Sequence, residues 1–152
     1  MIRFLIVTIT TLLVISCKDN SGTMKYTVGQ VWNYKTRKGE EKSTLKILKI
    51  EKYSENGKVI HISISGLKIK NPASPTDYAE NFSHIPISEE ALDKSITNLK
   101  NETHKKPDSL ELDGYSYWKK EFDNGNAGIF TIPVSEIVGK MEESIVSGNY
   151  IK

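Results

Sequence analysis

The chain has a single cysteine, Cys17, and no apolar run long enough to span a bilayer. A membrane-crossing helix needs roughly 20 such residues, and the longest candidate here is the twelve from Phe4 to Ile15, broken by Thr8, Thr10 and Thr11. One thiol cannot close an internal disulfide or build a multi-cysteine metal site, so packing alone must hold the fold. A dominant charge is missing too. The 21 basic and 19 acidic side chains nearly cancel, to a net +2, which gives no electrostatic ground for a nucleic-acid partner. The three histidines, His61, His84 and His104, show no helical i, i+4 spacing and no His-Glu-x-x-His frame, so no metal is expected. Glycines are scattered and Gly-x-Ser-x-Gly is absent, which leaves no phosphate loop, dinucleotide fingerprint or nucleophile elbow. No cofactor is expected.

What is present begins with the leader. Met1-Ile2-Arg3 supplies a positive start, and the apolar run after it has the length of a signal-peptide core. It ends at Val14-Ile15-Ser16-Cys17. This resembles the lipobox of bacterial lipoproteins: an aliphatic residue, a tolerant position, a small residue and cysteine. The resemblance implies cleavage between Ser16 and Cys17 and acylation of the Cys17 sulfur. Two acyl chains already anchor a protein stably, at about 0.8 kcal/mol per buried methylene. The bilayer is then a partner through Cys17. Lys18 in place of aspartate resembles default sorting to the outer membrane, so a lipid-anchored place in the bacterial envelope is expected. Residues 1–16 read as signal peptide, 17–25 as a lipidated tether, and 26–152 as one globular domain.

The first half of that domain reads as an antiparallel meander. Val31–Thr36 and Ser43–Tyr53 flank a turn at Lys38-Gly39-Glu40. Glu55-Asn56-Gly57 then turns the chain into Val59–Ile69. Register follows from counting, because a one-residue slip exchanges the faces of a strand. A three-residue loop pairs Ile50 with Ile62 and Leu48 with Ile64, puts Glu51 beside His61, and sets Gly57 at the left-handed position of a bulged hairpin. On the third strand Ile60, Ile62 and Ile64 share a phase that Leu67 and Ile69 break, so a bulge is expected at Ser65-Gly66. Residues 72–87, with Pro72, Pro75 and Pro86, read as one long connection. Ser88 caps a helix whose stripe is Leu92, Ile96 and Leu99, and Lys100–Asp108 reads as a polar loop. Asp113 can cap a short helix carrying Tyr115, Trp118 and Phe122, stopped at Asn124-Gly125. Gly128–Ile132 reads as a fourth strand. Pro133 then opens a last helix with Val134, Ile137, Val138, Met141 and Ile145 on one face. The sum is an α+β domain: an antiparallel sheet of about four strands with about three helices packed on one face.

Chemistry has thin support. His61 reads as one member of a surface cross-strand pair with Glu51. The carboxylate pairs Glu40-Glu41, Glu89-Glu90 and Glu142-Glu143 read as solvated groups in a turn and at helix ends. The candidate surface site is His84 with Asp77 and Tyr78 in the proline-rich connection. Beyond the leader, Val28–Arg37 and Gly66–Pro72 resemble segments of small bacterial proteins of unknown function, a resemblance that carries no catalytic residues. The expectation is therefore a non-enzymatic module that binds a protein partner, either an assembly component or an immunity-type inhibitor. The alternatives are a small hydrolase using His84 and the 72–87 loop, and a carrier of a small apolar ligand.

Overall fold

Alternation along the first three strands builds a sheet with one apolar face. In the computed structural model, which describes residues 25–103 and 106–148, these strands are β1 (Gln30–Tyr34), β2 (Thr44–Tyr53) and β3 (Gly57–Lys70). The β2–β3 hairpin closes on Tyr53 opposite Gly57, so its three-residue loop is 54–56, one position earlier than expected. The parity is the expected one, but the register is displaced by two residues, with Ile50 opposite Ile60 rather than Ile62. Gly57 has φ of 65°, the left-handed conformation the sequence demanded. Further along β2 the register shifts between Ile47 and Lys49, making Leu48 an extra residue. That bulge keeps Ile47 opposite Ile62 and Leu45 opposite Ile64, on the face that Ile50 and Ile60 share. The displaced hairpin register, before the bulge, sets Lys49, not Glu51, directly opposite His61. The second bulge lies where the alternation breaks: Gly66 has φ of 77°, and β3 changes register against its neighbour between Ser65 and Ile69.

The long connection is mostly a strand. Residues 71–77 form a tight turn tied by Asn71 N–H to Asp77 O at 2.8 Å and Asp77 N–H to Ser74 O at 3.0 Å. β4 (Tyr78–Ser88) then pairs with β3 along its length. Two features hid it. A register shift beside His84 puts Phe82 out of phase with Ile85 and Ile87. Pro86 argues against a strand, but proline is tolerated on a sheet edge, and β4 is one. The expected fourth strand at 128–132 reduces to Phe130, which bridges this edge through Phe130 N–H to Pro86 O and Ser88 N–H to Phe130 O, both 2.9 Å.

Ser88 caps α1 (Glu89–Ser95) by accepting from Ala91 N–H. The helix ends sooner than its stripe suggested. Ile96 is its C-cap, and β-branched Ile96-Thr97 opens β5 (Ile96–Glu102), which pairs with β1. Of the expected polar loop from Lys100, the first three residues belong to β5, and Thr103 and 106–108 are loop as expected. α2 (Ser109–Asp123) is capped by Asp108 with Glu111 in a capping box, so Asp113 lies inside it. Asn124 and Gly125 end it as expected. α3 (Val134–Ser147) follows Pro133. Its first free amide, Val134 N–H, is satisfied by the buried Ser95 hydroxyl at 2.9 Å, a cap delivered from α1.

Among the described residues the architecture is α+β: five antiparallel strands in the order β4-β3-β2-β1-β5, with three helices. Ile47, Ile60, Ile62, Ile85 and Ile87 form the core with Leu92 of α1 and Val134, Ile137 and Val138 of α3. Each such side chain removed from water contributes about 1.5–3 kcal/mol. α2 instead lies against the opposite face, where Trp118 reaches His61, so the helices occupy both sides of the sheet.

No helix among the described residues is long and apolar enough to cross a membrane. Val14-Ile15-Ser16-Cys17, the tether as far as residue 24, and His104 lie outside the described residues.

Candidate functional site

His61 projects from β3 on the non-core face, where alternation put it, but the face is not open. α2 crosses it, and His61 is 0% exposed. Tyr115 meets the imidazole edge-on with ring centroids 4.9 Å apart, and Trp118 does so at 4.8 Å. His84 stacks beside it at 5.2 Å, with His61 Nδ1 and His84 Nε2 2.9 Å apart. The helix can come this close because position 114 is glycine. A Cβ there would sit 2.6 Å from the His84 Cβ. The surface pair expected for His61 is thus a buried cluster, because the sheet face beneath it is roofed.

Glu51 completes the group. Tyr53 and Tyr115 donate their hydroxyls to its two carboxylate oxygens at 2.7 and 2.9 Å, and His61 Nε2 lies 3.3 Å from Oε2. That last contact falls short of hydrogen-bond geometry, leaving His61 Nε2 buried with a charge facing it but no acceptor in line. Desolvation works to raise the Glu51 pKa, but the two tyrosine hydroxyls, with His61 and Lys49 beside them, outweigh it and keep the carboxyl below its ordinary range. Burial drives both histidines the other way. His61 is pushed down to about 4, with Glu51 opposing, and His84 to about 4, with His61 adding to the effect. One proton arrangement suits this wiring: His61 turns Nε2–H toward the carboxylate and accepts at Nδ1 from His84 Nε2–H. The result is a carboxylate–imidazole–imidazole chain, neutral at both rings, under an aromatic roof.

The expected trio of His84, Asp77 and Tyr78 is not brought together. Asp77 ends the tight turn with φ of 58°, and Tyr78 starts the strand on which His84 sits six residues later. Asp77 and Tyr78 line a concavity of about 230 Å³ with Lys70, Asn71 and Pro72. Tyr78 also borders a larger one, of about 650 Å³, with Leu67, Lys68, Thr76 and Glu80. Both lie where β3 runs past the end of β2.

Two glutamates replace the missing strand there. Glu40 accepts from Lys68 N–H at 2.8 Å and Glu142 from Lys70 N–H at 2.6 Å, and Arg37 bridges them, 2.6 Å from each. Glu40 is therefore buried rather than a solvated turn residue. Desolvation would raise its pKa, but Arg37 and the Lys68 amide hold it low. Glu142 is likewise tied down, not a free helix-end charge. Among the described residues no group of three His, Cys, Asp or Glu side chains is placed to hold a metal ion.

The two sheet edges differ. On β4, Pro86 has no N–H to offer, and Phe130 occupies the Pro86 carbonyl and the Ser88 amide. On β5 no described strand lies beyond, and Thr97 to Glu102 are exposed on both faces. The sequence hides this edge because Leu99 also fits a helical stripe with Leu92 and Ile96. No protein-family model, curated protein or solved structure matches the chain.

Proposed function

We propose that the chain is a lipoprotein of the bacterial envelope, held at the outer membrane by acylated Cys17, whose domain binds protein by accepting an extended strand onto β5. The observation that carries this reading is the β5 edge. A strand with unpaired outer backbone groups and solvent on both faces is a template for another strand. Natural sheets blunt such edges with proline, bulges or covering loops, as β4 does here with Pro86 and Phe130. β5 has no proline, a single lysine, Lys100, and no described segment over it; its irregularity is confined to register shifts on either side of Trp32 in its pairing with β1.

The burial of His61, beside a His84 that is partly exposed, supports a non-enzymatic role. A general base must reach its substrate's proton, whereas His61 has no exposed surface. An assembly component and an immunity-type inhibitor both use a surface of this kind.

Two measurements test the reading. Fatty-acid labelling of wild type, lost in Cys17→Ala, is expected from the anchor; an unlabelled wild type removes it. Protein extracted gently from membranes is expected in a complex, with slow amide exchange across residues 96–102. Leu99→Lys, at an exposed position, is expected to release the complex and speed that exchange. Fast exchange at β5 in the wild-type extract would refute strand addition.

A further inference from the structure

Among the described residues, α2 is the helix that takes no part in the core. Ile60, Ile62, Ile85 and Ile87 pack with α1 and α3 on one face of the sheet, and no residue of α2 joins that cluster or packs against it. Beneath α2 the sheet presents His61, His84, Glu51 and Tyr53 instead, and Trp118 is the one buried residue the helix contributes. Lifting α2 would expose polar, titratable and aromatic groups. The aliphatic area that holds the strands together would stay covered by α1 and α3. A segment attached in this way opens as a unit of its own, at a free energy below that of the whole domain.

Its attachments are few. Tyr115 donates to Glu51 at 2.9 Å, Phe122 packs on Tyr53 with ring centroids 5.2 Å apart, and Glu111 pairs with Lys46. Tyr115 and Trp118 close on the imidazoles. Only the imidazoles change charge in mild acid. Glu51 is held below the ordinary carboxylate range, and Lys46 holds Glu111 there too.

We infer that α2 is an acid-released latch: it closes on the His61–His84 pair while both rings are neutral, and lifts off the sheet as they take up protons, leaving the strands, α1 and α3 folded. The latch lies apart from the β5 edge and does not depend on strand addition there.

The wiring explains why protons are unwelcome under the helix. With His84 Nε2–H donating to His61 Nδ1 at 2.9 Å, the pair keeps one open acceptor, His84 Nδ1. A second proton must enter at His61 Nδ1 and sets N–H against N–H. The close approach at Gly114, where a Cβ would lie 2.6 Å from His84 Cβ, leaves no gap for water between α2 and the ring on that side. The other groups facing the pair are Lys49, Glu51 and Tyr53 from β2 and Tyr115 from α2, with Lys119 of α2 over the Tyr53 ring. β3 and β4 supply the rings themselves. Glu51 favours a proton on His61, while burial and Lys49, directly opposite, work against it. Once α2 lifts, water reaches both rings and they protonate as free histidines do. Acid therefore favours the open form and neutral pH the closed one.

Hydrogen exchange of the full-length protein in detergent, at about pH 7.5 and about pH 5 and corrected for intrinsic rates, tests the latch. Each ring moves from about 4 when covered to about 6.5 when free. One such ring changes the opening equilibrium about 30-fold between these pH values, and two change it several hundred-fold. Amides of residues 112–122 are expected to be at least about tenfold less protected than those of 60–64 at either pH. They are also expected to lose roughly several hundred-fold of their protection at the lower one. In the double variant His61→Gln/His84→Gln that protection is expected to stay within about threefold. Should the double variant not fold, His84→Gln alone keeps one ring and is expected to lose about 30-fold. Helix and strand amides protected to within about tenfold of each other mark a single cooperative unit and overturn the latch. A wild-type fall well short of about 30-fold, or an undiminished fall in either variant, overturns the histidine trigger.

Discussion

Acidification should loosen this domain through its buried histidine pair before any carboxylate responds. His61 and His84 are held neutral in the folded chain, each at about 4, chiefly by burial, against about 6.5 for a free histidine. Between those values the unfolded chain binds protons that the folded chain refuses. Stability is complete above about pH 6.5 and falls as the pH drops toward 4. From about pH 7.5 to about pH 5, one histidine with this shift costs about 2 kcal/mol. Two independent ones would cost about 4 kcal/mol. The rings touch, so a first proton on the folded pair only discourages a second, and the loss stays near the sum for two. Glu51, kept low by Tyr53 and Tyr115, adds its own loss only further down. Urea unfolding followed by tryptophan fluorescence at the two pH values measures the change. The double variant His61→Gln/His84→Gln, which cannot titrate there, should lose the slope. In the folded wild type, the imidazole proton resonances should stay at their neutral positions down to about pH 5. An unchanged urea midpoint, or the same loss in the double variant, would refute the reasoning.

Two further outcomes test how the cluster and the carboxylate bridge are held. Gly114→Ala places a methyl 2.6 Å from the His84 Cβ, so α2 must back away at a cost of about 1–3 kcal/mol, readable as a lower urea midpoint and a shifted Trp118 emission. Arg37→Ala leaves Glu40 buried and Glu142 half-buried without their shared cation; a loss of about 3 kcal/mol is expected, and one below about 0.5 kcal/mol would show that the Lys68 and Lys70 amides suffice.

Local signals carried their own conclusions well. Ser88 followed by two glutamates capped a helix, Pro133 preceded one, and Gly57 and Gly66 took the left-handed conformations their hairpin and bulge required. Each depends on residues within a few positions of one another. β4 was illegible because two local rules, alternation and the exclusion of proline, are both suspended at a bulged edge, and an edge is a property of the finished sheet. β5 was illegible for a related reason. Leu92, Ile96 and Leu99 fit a helical period, but pairing with β1 claimed the last two.

Of the functional surface, the sequence by itself determined that His61 shares a sheet face with polar neighbours and that Tyr115, Trp118 and Phe122 share a helix face. It could not say that the second lies on the first. Periodicity reports which side chains point the same way, and nothing about what covers them. Tertiary packing decided that a surface histidine became a buried one, that Glu40 became a stand-in for a strand, and that Leu99 fell on a sheet edge in solvent. Each of these was settled by a segment tens of residues away, brought close because burying apolar area outweighed the local preference of the residues involved.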